Sequence, residues 1–411
     1  MPAFYNSGMC AESNGSPGAL KGSPHLYSKP DHLSAVMPAI SAAIGCPIPT
    51  SIHPYPNKDR QELGIPPASS LVLVLVDGLG FHNLSERRGH TPYMRSLISE
   101  PRSARPITTC FPSTTAVAMA TVGTGTCPGL TAITAYTQVN PLTGGLSQMI
   151  SFRNALQPLE IQQEPTIFEL LASKGVRVDS CGIAKFKNSA LTQAALRGSK
   201  YHARVTMEER IEQTALLARK PGLTYLYIPD VDKAGHEYGL DSDQWVSEFE
   251  KTDTYIALLR RSLPSGTVLL VTADHGMINS NPRHRIDIAE NPDLCQDVSL
   301  VGGEPRNVML YVHGEDAVQK QEKVEKVADR YRSHLGESFR IYKKDQAINL
   351  GFYGLVGTRA YSVLGDLIVV GQDDFTLVDT RSQKEEATRL PSIHGGSSAR
   401  EMEIPLLIDQ A

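Results

Sequence analysis

Six consecutive aliphatic residues, Leu71–Val76 (LVLVLV), followed at once by Asp77-Gly78, form the sharpest hydrophobic signal in the chain. A short unbroken run of this kind predicts a strand buried on both faces, as in a parallel sheet covered by helices. Comparable runs stand at 176–183 (VRVDSCGI), 223–228 (LTYLYI) and 267–272 (TVLLVT). Helical periodicity fills the intervals at 91–100, from Ser113 to about Val122, and at 165–174, 207–219 and 241–262. Strands alternating with helices argue for an α/β fold with an open, largely parallel central sheet flanked by helices.

The pattern changes after residue 276. A strand-like run at 306–313 precedes an amphipathic helix at 315–335, and further strand-like runs lie at 337–342 and 361–378. Residues 278–388 read as a smaller inserted α+β cap subdomain, with the chain rejoining the core near Ser392-Ile393-His394-Gly395. The core then comprises residues 31–277 and 389–411. Residues 1–24, rich in Gly, Ser, Asn and Pro, predict a loosely attached start, so residues 1–30 are read as a flexible N-terminal leader. Residues 31–46 hold a short helix that Pro38 is expected to break.

Composition adds exclusions. With 411 residues, 41% apolar and 20% charged, the chain can bury a large core unaided. A formal charge of −4 gives no overall attraction to nucleic acid or anionic membrane. An anionic substrate must therefore be drawn in by local charge. The six cysteines (Cys10, Cys46, Cys110, Cys127, Cys181 and Cys295) contain no CxxC pair, so neither a disulfide framework nor a thiolate zinc site is expected. No signal-peptide pattern or bilayer-length apolar run is present, and the expected location is cytoplasmic.

The chemistry gathers where strands end. Asp77 follows LVLVLV, Asp230 and Asp232 follow LTYLYI, and Asp274-His275 follow TVLLVT. In a parallel sheet these would emerge at one edge, where ligands of open α/β sheets bind. A single Asp after a strand is most often a turn former or helix cap. Three such sites, two of them with histidine, favour a metal centre. Asp232 and His236 stand one helical turn apart and can share an ion, while Asp274-His275 can serve a second. A mixed Asp/His set suits zinc, with manganese an alternative. In FPSTTAVAMA (111–120) a hydroxyl either caps the helix or stands at its N-terminus as a nucleophile activated by metal. No GxSxG elbow, Walker loop or spare carboxylate pair suggests esterase, nucleotide-loop or glycosidase chemistry.

The segments VDGLG (76–80), FPSTTAVAMATVGTG (111–125), YIPDVDKAGHEYG (227–239), TADHGM (272–277) and IHGG (393–396), in this order, resemble the alkaline phosphatase superfamily. They are most similar to its type I phosphodiesterase/nucleotide pyrophosphatase branch. The resemblance implies two divalent metal ions. One would be held by Asp232, His236 and His394, and the other by Asp77, Asp274 and His275, with a hydroxyl nucleophile adjoining the pair. Counting back from Thr124-Gly125, as the family pattern does, gives Thr115 as nucleophile and metal neighbour, with Thr114 one residue away as the alternative. The implied activity is hydrolysis of a phosphodiester or nucleotide pyrophosphate bond through a phospho-threonine. A phosphomonoesterase, phosphonate hydrolase or phosphomutase on the same scaffold remains open, as does a non-catalytic metal-binding protein. The expected partner is a small phosphorylated substrate, nucleotides included, with no stable nucleic-acid complex and no membrane. The asparagine with which nucleotide pyrophosphatases commonly hold a phosphate oxygen has no counterpart near 131–136, so nucleotide specificity does not follow.

Overall fold

The computed structural model describes residues 20–100 and 103–410. Most of the expected leader, residues 1–19, lies outside the described residues. Its remainder is fastened to the body. Lys21 and Val356 exchange backbone hydrogen bonds of 3.0 and 2.7 Å, and the buried Tyr27 donates its hydroxyl to the Phe352 carbonyl at 2.7 Å. Gly- and Pro-rich composition forecasts missing regular structure there, but it does not forecast missing contacts.

Seven strands form the central sheet: β1 (Ser70–Val76), β2 (Ala104–Thr108), β3 (Val178–Gly182), β4 (Lys200–Ala203), β5 (Gly222–Ile228), β6 (Val268–Ala273) and, from the C-terminus, β11 (Glu403–Gln410). Their order is β2-β11-β6-β1-β5-β3-β4. The five strands from β6 to β4 are parallel, and β11 runs antiparallel to both its neighbours. Every residue of β1 is buried, as its uninterrupted apolar run requires. β11 carries Pro405, which cannot donate to a ladder, and it stands opposite Pro106 of β2. Helix α1 (Leu33–Ala43) runs through Pro38 rather than breaking there. An interior proline costs roughly 3 kcal/mol. Here Leu33, Val36, Met37 and Ile40 are fully buried, and each contributes roughly 1.5–3 kcal/mol of burial. Packing therefore outweighs propensity.

A separate antiparallel sheet is built by β7 (Val298–Glu304), β8 (Asn307–Val312), β9 (Phe339–Lys343) and β10 (Leu367–Gly371), in the order β7-β8-β10-β9. β8 is buried on both sides. Val308, Leu310 and Val312 join a small core with Val327 and Tyr331 of the helix Ala317–Leu335, while Met309 and Tyr311 face the main core. The run expected as strand from 361 begins as helix, Thr358–Val363, because its apolar residues are too few to show a period. The chain on either side of this sheet comes together, Ile278 and Asn279 pairing with Ile393 and Ser392. No described helix is long and apolar enough to cross a membrane.

Candidate functional site

Register places the candidate residues at one edge. Val76 pairs with Ile228 of β5 and with Ala273 of β6, so Asp77 and Asp274 leave neighbouring parallel strands at the same level. β5 passes through Pro229 into helix α3 (Asp230–Tyr238), whose first turn is tied back when the Asp232 amide donates to the Asp77 carbonyl at 3.1 Å. Gly78 allows the turn: its φ of +73° is strained for other residues, and a Cβ there would lie 2.9 Å from the Asp232 Cβ.

Two three-residue groups result, Asp77-Asp274-His275 and Asp232-His236-His394, and within each the potential ligand atoms lie within 4.8 Å of one another. His236 Nε2 is 3.4 Å from Asp232 Oδ1, and His394 Nε2 is 3.9 Å from the same oxygen. His275 Nε2 lies 3.5 Å from both Asp77 Oδ1 and Asp274 Oδ2. In all three rings Nδ1 faces a backbone carbonyl: His236 that of Ser392 at 2.8 Å, His394 that of Ser113 at 2.9 Å, His275 that of Gly276 at 3.2 Å. A carbonyl can only accept, so Nδ1 carries the proton and Nε2 turns its lone pair into the site. This is the outer support that metal-binding histidines need.

The carboxylates are arranged to the same end. Asp274 Oδ1 accepts from the amides of Gly78 (3.1 Å) and His275 (2.9 Å), while Thr109 donates its hydroxyl to the Asp274 carbonyl. Tyr227 donates to Asp77 Oδ2. Asp274 Oδ2 and Asp232 Oδ1 are buried with no hydrogen-bond partner. Buried acceptors left bare are costly, and a cation would satisfy both. Burial, and then the charges of Asp274 and Asp232, push Asp77 well above the usual carboxylate range. Burial raises Asp232 to about 6 and raises Asp274 as well. Burial drives His275 down to about 3, and burial together with His275 and His236 pushes His394 down, keeping both rings neutral. The metal-free site thus holds protons that a bound cation would displace.

Thr115 opens a fully buried helix, α2 (Thr115–Thr124). Its hydroxyl lies 3.1 Å from His275 Nε2 and 3.5 Å from Asp77 Oδ1. Thr114 lies beside Glu304 of β7 instead. Glu304 packs so closely on Gly395 that a Cβ there would meet its Cγ at 2.5 Å. Neither carboxyl oxygen of Glu304 has a hydrogen bond of good geometry, and burial raises its pKa to about 8, with the nearby Thr114 hydroxyl opposing the rise and Glu401 adding to it. A carboxyl whose folded pKa is raised gives its full stability below the unfolded value of 4.5 and loses it as pH rises through 8. Glu304→Gln should therefore stabilise the chelated protein at pH 9 by about 2–4 kcal/mol and change little at pH 4.5. Urea unfolding at the two pH values measures this, and an equal effect at both would refute it.

The remaining candidates lie at or beyond the rim. Asp230 starts α3 with one oxygen buried and unpartnered; burial raises its pKa, and Arg210 opposes the rise. Lys185, Lys187 and Asn188 are exposed on the turn after β3, where Phe186 packs edge-on against Tyr227 at 5.9 Å. Arg285 is held by Asp287 at 3.0 Å, and His284 pairs with Asp374 while stacking on Phe375. Arg283 is exposed. The five described cysteines are all free. Tyr227, Ser113, Glu304 and Glu401 escape sequence reading. Tyr227 sits inside an apolar strand run, and the others show their role only through contacts distant in sequence.

The model of the type I phosphodiesterase/nucleotide pyrophosphatase family matches residues 71–397. A comparison with curated proteins finds none that matches. Among solved structures, murine ectonucleotide pyrophosphatase/phosphodiesterase 5 superposes with a TM-score of 0.64 at 17% identity, over 82% of this chain and 87% of that one. The human counterpart gives 0.64 at 18%, with the same coverage of 82% and 87%. Phosphonoacetate hydrolase from Sinorhizobium meliloti 1021, in complex with phosphonoacetate, gives 0.63 at 18%, over 84% of this chain and 91% of that one. At such identities the structures establish a shared α/β fold. With the family model covering most of its length, the chain belongs to the type I phosphodiesterase/nucleotide pyrophosphatase family of phosphoester hydrolases.

Proposed function

We propose that the chain is a two-metal phosphoesterase that cleaves a phosphodiester or nucleotide pyrophosphate bond through a covalent phospho-threonine at Thr115. The observation that carries this reading is the Thr115 hydroxyl placed beside one of two converging Asp/His groups, each with a bare buried carboxylate oxygen. Asp232, His236 and His394 would hold one divalent ion and Asp77, Asp274 and His275 the other, with Thr115 adjoining. The donor set suits zinc first and manganese second. Bound there, such ions supply Lewis acidity and lower the pKa of a coordinated hydroxyl or water.

The protein's own part is positioning. Thr115, deprotonated to solvent, attacks phosphorus; the bond to the leaving oxygen breaks, and that oxygen takes up a proton. Water then attacks the same phosphorus and frees Thr115. The N-terminal amides of α2 favour the anionic phosphoryl group, and burial strengthens every electrostatic contact around it.

The murine relative has been solved as an inactive variant with AMP, and the bacterial hydrolase with phosphonoacetate. Both fit a small phosphorylated ligand here. The absence of a phosphate-holding asparagine near Tyr136 keeps phosphonate hydrolysis as the second reading. Chelated protein reloaded with zinc or manganese, given bis-p-nitrophenyl phosphate, p-nitrophenyl phosphate and phosphonoacetate, decides between them. The diester should turn over fastest. A preference for the monoester, or phosphate release from phosphonoacetate alone, would overturn the diesterase reading in favour of that chemistry.

A further inference from the structure

The turn between β7 and β8 carries Arg306, a guanidinium with no exposed surface, into the main body of the protein. Its Nε and Nη2 donate to the two carboxylate oxygens of Glu401 at 3.2 and 3.0 Å, and its Nη1 donates to the Phe375 carbonyl at 2.8 Å. Glu401 is equally buried. Its Oε1 also accepts the Gly396 amide at 2.7 Å, its Oε2 the Ser398 hydroxyl at 2.6 Å, and its backbone carbonyl the Gly276 amide at 2.9 Å.

Gly396 lies two residues after His394, and Gly276 directly follows His275. One residue therefore holds the peptides behind a ligand of each metal group. The hold continues through Ser113, whose hydroxyl donates to the Gly396 carbonyl at 2.8 Å and accepts the Gly395 amide at 3.2 Å. Its own carbonyl fixes His394 Nδ1. Two residues further along stands Thr115.

We infer that Arg306 and Glu401 are positioning residues: the hairpin tip of the insertion grips Glu401 at two points and so fixes where His394 and His275 present their nitrogens. The inference rests on the two-metal reading above. A buried fork of this kind is not needed for stability alone, since apolar pairs of similar volume commonly stabilise as well or better. What it supplies is a fixed carboxylate orientation, which lysine, a single-point donor, cannot reproduce.

The test uses the full chain, chelated, with zinc affinity and stoichiometry read by competition against a chromogenic chelator and the thermal midpoint of the metal-free protein read in parallel. Arg306→Lys keeps the buried charge balanced; its metal-free midpoint should stay within a few degrees of wild type while zinc binding at the weaker site falls at least tenfold. Arg306→Met should lose both. Wild-type zinc affinity in either folded variant overturns the inference. So does a loss of affinity that only tracks the metal-free midpoint, or failure of both variants to fold, which would make the pair a folding element. Wild type that binds no zinc would instead refute the two-metal reading.

Discussion

Replacing Thr115 with alanine is expected to lower turnover at least about a thousandfold while both metal groups still bind zinc. The hydroxyl stands 3.1 Å from His275 Nε2 and 3.5 Å from Asp77 Oδ1, and the methyl group that remains cannot attack phosphorus. The six Asp and His side chains of the metal groups are untouched by the change, so stoichiometry and affinity separate loss of the nucleophile from loss of the site. Thr114→Ala, on the side facing Glu304, should keep turnover within about tenfold of wild type. Thr115→Ser, which restores a hydroxyl at the same helix position, should recover part of the rate. Steady-state kinetics on the diester, with metal content measured on the same samples, read all three. Undiminished turnover in Thr115→Ala would move the nucleophile elsewhere.

The second large effect concerns Asp274. Asparagine keeps an oxygen to accept from the Gly78 and His275 amides, yet removes the charge of the bare Oδ2. In the metal-free protein this change relieves crowding, because Asp77 is pushed up partly by Asp274 and Asp232. The chelated variant should therefore unfold no earlier than chelated wild type. On adding zinc the order reverses. Wild type gains roughly 2.7 kcal/mol when ligand exceeds its Kd a hundredfold, and the variant, short of one anionic ligand, gains much less. Activity should fall at least a hundredfold. Thermal melts with and without zinc show the crossing. Parallel shifts in the two proteins would mean that zinc binds somewhere other than this group.

The core of this arrangement was legible in the sequence because parallel strands of similar apolar strength end level. LVLVLV, LTYLYI and TVLLVT each bury both faces, and the polar residue after each has no choice but the sheet's carboxyl edge. The four-residue interval from Asp232 to His236 likewise maps directly onto one helix face. Choosing Thr115 over Thr114 took a resemblance, since either residue can begin a helix; the structure sets the Thr115 hydroxyl beside His275 and Asp77, and Thr114 beside Glu304. What sequence could not convey depends on contacts far apart in the chain. Arg306 and Glu401 are 95 residues apart, and each alone reads as a solvated charge. Pro38 reads as a helix break until the burial of the whole helix is known. Glu403–Gln410, interrupted by Pro405, gives a weak strand signal although it occupies an interior place in the sheet.

The most direct measurement of the central claim is anomalous diffraction from crystals of zinc-loaded protein, recorded on both sides of the zinc absorption edge. The account predicts two peaks roughly 3.5–4 Å apart, one among Asp232, His236 and His394 and the other among Asp77, Asp274 and His275, with the Thr115 oxygen beside the pair. Zinc found at neither group, or a single ion with the other group holding only water, would contradict it.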